Sequence, residues 1–343
     1  MKVTLGYVEF YITNVCNFNC DQCNRLNNYR FSGHQKWSEL KDIYSQWSTL
    51  IDINYIAVIG GEPTLNPDLK NWLIGIRELW PDTPIELITN GSRLVHTPWL
   101  YEVLHKYKID VIVSTHNISR TIELANVVEE MLDNPKTTFF KGTINHVEYN
   151  GEESWDKEYN IVKGEHWPEC KTFEDFINLP DNIRNECISV HNISPQPLFT
   201  DSNGVKVRFQ HDNQFITAPL KYAGNNQFQV YNNDLNAAHD VCISKTCHHF
   251  IRGKLYKCHH VPLLLEFMEQ YQVNLSKSDT QLLKNYAPAT VGMDINNIKQ
   301  FIDNLENAIP QCKLCPAKED LKTVLIHADN VKPKILKLPL TTP

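Results

Sequence analysis

No apolar run in the 343 residues approaches the length needed to cross a bilayer as a helix, and Leu263-Leu264-Leu265 is far too short to count. There is no polybasic run either. With a formal charge of −7, the chain lacks the electrostatic footprint of nonspecific nucleic-acid binding. No heptad array or long repeat is present beyond a strand-helix alternation in the first half, so solenoids and coiled coils are excluded. The opening MKVTLGYVEF has neither the basic flank nor the long apolar core of a secretory signal. The ten cysteines are therefore expected as thiols in a reducing cytoplasm, and as ligand candidates before disulfides.

Their placement is informative. Cys16, Cys20 and Cys23 stand in the run CNFNCDQC at the end of an apolar stretch. Three thiolates converging from one loop are one fewer than a closed tetrahedral metal site or a fully ligated cubane requires, which leaves a position open. A zinc site would more commonly be built from two CxxC-type pairs or a pair with histidines. Gly60-Gly61-Glu62-Pro63 follows the apolar run Tyr55–Ile59, and such glycines let backbone approach a ligand while the carboxylate can receive an ammonium group. As a plain strand-to-helix turn, the same segment reads as Asn66 N-capping and Pro67 opening a helix over Asp68–Leu79.

The order of these motifs resembles the radical S-adenosylmethionine (SAM) superfamily, whose CxxxCxxC follows the first strand of a partial TIM barrel. The resemblance implies a [4Fe-4S] cluster on Cys16, Cys20 and Cys23, with the amino group of SAM held at Gly60, Gly61, Glu62 and Pro63. Asn90 and Ser114 end apolar strands, where barrel folds place active-site groups, and the family's ribose and carboxylate contacts carry over to them. Either can equally be a cap, and His116 is a weaker candidate. The family's aromatic residue before the third cysteine is Gln22 here, with Phe18 in the first gap instead. The adenine contact is thereby in doubt.

A second constellation lies in the C-terminal third. Cys242, Gly253 and Cys258 are spaced as a hairpin with a cysteine on each arm, and a CxxC at Cys312 and Cys315 can complete four thiolates. This is similar to the opening of the SPASM and twitch auxiliary-cluster domains. No cysteine follows Cys315, so a single auxiliary [4Fe-4S] cluster, twitch style, is implied on Cys242, Cys258, Cys312 and Cys315. Cys247 could replace Cys242, though its spacing to Gly253 fits poorly. A zinc site made of the same four thiols stays open, since tetrathiolate geometry does not distinguish the metals. His248, His249, His259 and His260 receive no role, and Cys170 and Cys187 read as incidental thiols.

The expected class is α/β, a partial (β/α)6 TIM barrel with a small α+β auxiliary-cluster domain. Expected boundaries are 1–236 for the barrel, with an insertion around 145–200, then 237–325 for the auxiliary domain and 326–343 for a tail. Strands are expected near 7–14, 54–59, 85–89 and 110–115, and helices near 37–50, 68–79, 97–107 and 120–132. Further strands of the parallel sheet should come from Thr138–Thr143, Cys187–His191 and Val205–Phe209.

For function, the resemblance implies reductive cleavage of SAM to a 5′-deoxyadenosyl radical and hydrogen abstraction from a small polar, sugar-like or nucleotide-linked substrate. The auxiliary cluster would accept or relay an electron, giving dehydrogenation or epimerisation, with flavodoxin or ferredoxin as donor. By cluster count the fitting relative is a twitch-type dehydrogenase of an amino-cyclitol alcohol. A peptide-modifying maturase competes, although only about fifteen residues precede Cys16 where many such enzymes carry a recognition domain. A nonenzymatic iron-sulfur or zinc protein is the alternative of another class.

Overall fold

The computed structural model describes residues 2–20, 23–115, 118–132, 136–143, 178–180, 182, 193–210, 220–224 and 227–320. The expectations on Gln22, His116, Cys170, Cys187, the strand at Cys187–His191, most of the insertion, and the tail lie outside these residues. Two compact units are present, Met1–Thr83 with Gln214–Pro343, and Pro84–Asn213.

In the first unit, β1 (Val3–Tyr11), α1 (Trp37–Leu50), β2 (Ile51–Ile59) and α2 (Leu69–Leu79) form a βαβα run. β1 and β2 pair in parallel, Val8 opposite Ile56 and Tyr11 opposite Ile59. The last four residues of each strand are buried on both faces, which is why β2 ends in an unbroken apolar run and β1 in one interrupted only by Glu9. α2 starts at Leu69, not at Pro67. Asn66 still caps the turn that leads into the helix, its Oδ1 accepting the Asp68 N–H at 2.9 Å, and its amide also donates to the carbonyls of Ile12 at 2.8 Å and Gln35 at 3.0 Å.

The second unit contains β3 (Ile85–Thr89), α3 (Trp99–Tyr107), β4 (Ile109–Ser114), α4 (Ile118–Met131), β5 (Lys136–Thr143), β6 (Ile193–Thr200) and β7 (Lys206–Gln210). β3, β4 and β7 are parallel neighbours, as expected for Val205–Phe209. The strand expected at Thr138–Thr143 is present, but β5 and β6 run antiparallel. The reason is a tight turn. The Asp201 Oδ1 accepts the N–H groups of Asn203 and Val205, and Gly204 sits at φ +84°, so β6 must fold straight back on β7.

The first unit resumes with the short ribbon β8 (Lys221–Gly224) and β9 (Gln227–Gln229), then α5 (Leu235–Asp240), β10 (Cys247–Ile251), β11 (Lys254–Tyr256), α6 (His260–Tyr271), α7 (Lys277–Lys284) and α8 (Ile295–Asp303). β10 and β11 form the expected hairpin. Cys242 and Cys258 flank it, lying beyond its strands, and Cys247 begins β10. β10 also joins β1 as a parallel neighbour, placing Glu9 opposite His249 and Phe10 opposite Phe250.

Packing against α1 and β1 explains this position between β1 and β11. Phe250 meets Phe10 at 5.1 Å, Tyr44 at 5.5 Å and Trp47 at 5.3 Å between ring centroids. The turn is pinned as well: Trp47 Nε1 donates to the Gly253 carbonyl at 2.9 Å, and Gly253 N–H donates to the Tyr44 hydroxyl at 3.2 Å. Arg252 and Gly253 both have positive φ, 49° and 75°, the conformation of a tight hairpin turn. Among the described residues no helix is long and apolar enough to cross a membrane.

Helix propensity and packing disagree at Gly75, inside α2. Replacing a helical glycine by alanine ordinarily stabilises by about 1 kcal/mol, but a Cβ here would stand 2.1 Å from the Trp37 ring. Overpacking of this kind costs about 1–3 kcal/mol. Gly75→Ala should therefore lower the midpoint of chemical denaturation; a raised midpoint would show that the Trp37 ring yields.

Candidate cluster and cofactor site

Beyond Tyr11 the chain leaves the sheet and forms the cysteine loop, and the end of β2 holds its stem. Ile12 N–H donates to Ile59 O, Gly61 N–H to Thr13 O and Glu62 N–H to Val15 O, at 2.7–2.8 Å. The stem lies so close that a Cβ on Gly60 would fall 2.6 Å from Thr13 O, and one on Gly61 would fall 2.4 Å from Val15 O. What approaches these glycines most closely is therefore the chain's own stem, and their lack of side chains sets the height of the cysteine loop above the sheet.

Within the loop the Cys16 thiol lies within electrostatic reach of the Cys20 and Cys23 thiols and of the Glu62 carboxylate. Cys16 Sγ accepts the Phe18 N–H at 3.4 Å, and the Cys23 thiol donates to Asn27 Oδ1 at 3.4 Å. Burial, with the Glu62 carboxylate and the other two thiols adding to it, pushes the Cys16 thiol well above its ordinary value. Without a cation it stays protonated. A bound metal would reverse this, so three clustered thiols fit an iron-sulfur cluster with one open iron. The Glu62 carboxylate is fully buried, with Oε1 accepting Thr64 N–H at 3.0 Å and Thr64 Oγ1–H at 2.5 Å. That oxygen caps the turn Pro63–Leu65.

Asn90 and Ser114 belong to the second unit. Asn90 Oδ1 accepts the Ser92 N–H at 2.9 Å, a local cap, and Ser114 ends β4 opposite Gln210.

The C-terminal cysteines assemble around one small cavity in the first unit. Cys242, Cys258, Cys312 and Cys315 line it together with Lys257 and His260. Backbone N–H groups point at the sulfurs: Ser244 to Cys242 at 3.3 Å, and Ile309 to Cys312 at 3.4 Å. Burial raises all four thiols, Cys258 to about 12, and the neighbouring thiols raise Cys258, Cys312 and Cys315 further, whereas the Ser244 N–H and the charge of Lys257 pull Cys242 back. A tetrathiolate metal or cluster fits this donor set. Cys247 does not line the cavity. Its thiol instead lies with the Glu9 carboxylate and the His249 imidazole, their donor atoms within 4.8 Å of one another.

Glu9 was not singled out from the sequence, nor were Arg25 and the role of the histidines. The Glu9 carboxylate, 6 % exposed, accepts from Arg25 Nη2 at 3.1 Å and pairs with His249 Nε2 at 2.8 Å. Arg25 Nη1 donates to the Gly60 carbonyl at 3.2 Å. A glutamate between Val8 and Phe10, inside the most buried part of an apolar strand, was the available signal.

A model of the Radical SAM superfamily matches residues 10–120. The match covers about a third of the chain and includes the CNFNCDQC loop and Gly60-Gly61-Glu62-Pro63. GTP 3′,8-cyclase from Yersinia pestis is 33 % identical over 91 residues, 26 % of this chain and 28 % of that protein. The enzyme of the same name from Nautilia profundicola is 29 % identical over 92 residues, 26 % of this chain and 29 % of that protein. The chain thus spans under a third of the length of these curated relatives. Among solved structures, BtrN in complex with AdoMet and 2-DOIA aligns over 93 % of this chain and 95 % of that one, at 15 % identity and a TM-score of 0.42. Streptococcus suis SuiB bound to S-adenosylmethionine aligns over 92 % and 72 %, at 15 % identity and a TM-score of 0.39.

Glu9 generates a pH prediction. Burial alone would raise its pKa, but the charges of His249 and Arg25 outweigh burial and hold it at about 2 against an ordinary 4.5. A carboxylate with a depressed folded pKa stabilises the fold fully above 4.5, and that contribution is lost as pH falls toward 2. Glu9→Gln should thus cost about 3–5 kcal/mol at neutral pH, leaving Arg25 uncompensated. It should also flatten the acid limb between pH 4.5 and 2 relative to wild type. Superimposable acid limbs in denaturant titrations of the two proteins would contradict the assignment.

Proposed function

We propose that this protein is a radical SAM enzyme with two iron-sulfur clusters, the first on Cys16, Cys20 and Cys23 and an auxiliary [4Fe-4S] cluster on Cys242, Cys258, Cys312 and Cys315. The observation that carries the reading is the pairing of an open three-thiol loop with a closed four-thiol cage in one compact unit. When bound, the reduced first cluster and SAM supply reductive sulfonium cleavage and hydrogen-atom abstraction.

The residues have distinct tasks in this proposal. Gly60 and Gly61 hold the cysteine loop at the strand end. Glu62, buried and capping its own turn, is pre-oriented to receive the amino group of SAM, and a carboxylate fixed in this way spends no rotamer entropy on binding. Pro63 opens that turn. Lys257, buried beside Cys242, Cys258 and Cys312, offsets the negative charge of the thiolates.

A cage with all four corners taken by thiolates leaves no site for a substrate, so it suits electron acceptance or relay. This favours dehydrogenation or epimerisation of a small polar substrate, with an external flavodoxin or ferredoxin as electron donor. Modification of a peptide is the competing outcome; turnover of a co-encoded peptide, with none of small alcohols, would decide for it.

Anaerobic reconstitution should give about eight irons per chain. Cys16→Ala should abolish reductant-dependent formation of 5′-deoxyadenosine, whereas Cys312→Ala with Cys315→Ala should remove about four irons and leave SAM cleavage measurable. Zinc in place of iron, or iron without 5′-deoxyadenosine, would sink the proposal.

A further inference from the structure

The four histidines beside the C-terminal cysteines are not solvent-facing. His248, His249 and His259 are buried, and His260 lines the thiol cavity. Three of them join Glu9 in a continuous row. Starting from the Gly60 carbonyl, it runs through Arg25 (3.2 Å), Glu9 (3.1 Å) and His249 (2.8 Å) to His259, whose Nδ1 lies 3.2 Å from His249 Nε2. The His259 ring packs on the His260 ring with centroids 4.2 Å apart, and His260 Nδ1 faces Cys315 Sγ at 3.6 Å.

The tautomer of His260 follows from its surroundings. A neutral imidazole carries one N–H. His260 Nε2 is buried and has no hydrogen-bond partner. A proton placed there would be an orphaned buried donor, costing about 1–3 kcal/mol, and once Cys315 is a ligating thiolate with no proton of its own it would leave the Nδ1 lone pair facing the sulfur lone pairs. A proton on Nδ1 removes both costs, because the N–H then points at sulfur and Nε2 keeps only a bare lone pair.

We propose that His260 donates its Nδ1–H to the Cys315 sulfur and thereby raises the reduction potential of the auxiliary cluster, with the row from Arg25 to His259 holding the ring in place. Donation to a ligating sulfur withdraws electron density and favours the more negative, reduced cluster. His260 is thus a positioning and tuning residue. The inference rests on the auxiliary-cluster reading above, and iron content separates failure of that reading from failure of this one.

The test uses the full chain, reconstituted anaerobically, with both clusters followed by EPR during redox titration. His260→Phe should lower the auxiliary potential while the iron content and the potential of the first cluster stay at wild-type values. His260→Asn, whose amide reaches the position of Nδ1, should restore the auxiliary potential, and His260→Gln, reaching toward Nε2, should not. Should the Phe variant fail to retain its second cluster, the Asn and Gln pair carries the comparison. Full iron with equal auxiliary potentials in wild type and His260→Phe, or in the Asn and Gln variants, overturns the role of His260 alone. About four irons in wild type, unchanged by Cys312→Ala, overturns the auxiliary-cluster reading and this inference with it.

Discussion

A carboxylate inside a central β-strand has to be neutralised where it stands, and the way Glu9 is neutralised organises the first unit. Its partners come from separate parts of the chain: Arg25 from the loop that carries the first cysteines, and His249 from a hairpin more than two hundred residues later. The attraction in a dry interior is strong, and so is the penalty for leaving either partner alone. Glu9 therefore does what an apolar side chain at the same place could not. It ties the stem of the cysteine loop to the strand that leads into the thiol cage.

The glycines at the end of β2 solve a complementary problem. A loop that must present three thiols at the C-terminal end of a strand needs a rigid base, and Thr13 and Val15 obtain one by pairing with backbone that has no Cβ in the way. Glu62 follows at once, so the residue proposed to hold the cofactor is fixed to the same base as the residues proposed to hold the cluster. Pre-organisation of this kind separates the cost of ordering the site from the moment of binding.

Much of the first half was legible. The positions of β2 and β3 followed from apolar runs and α1 was placed to its last residue, while β1, expected near 7–14, lies at Val3–Tyr11 because the chain leaves the sheet before Ile12. The antiparallel turn of β6 onto β7 was missed although Asp201-Ser-Asn-Gly204 is a hairpin signal, because the alternation before it favoured another crossover. The parallel pairing of β10 with β1 had no local signal, since it depends on Phe250 finding Phe10, Tyr44 and Trp47.

By itself the sequence determined the chemistry of the donors: which thiols exist, their spacing along the chain, and the glycines and carboxylate that follow the second strand. Those are matters of short-range order. The tertiary structure decided what depends on residues far apart, which is that Cys242 lines the cage while Cys247 lies with Glu9, and that three histidines without an evident role form a buried row ending at Cys315. The physical reason is burial. A histidine's hydrogen bonds and a thiol's willingness to ionise are set by what surrounds them, and the surroundings are supplied by segments that meet only when the chain is folded.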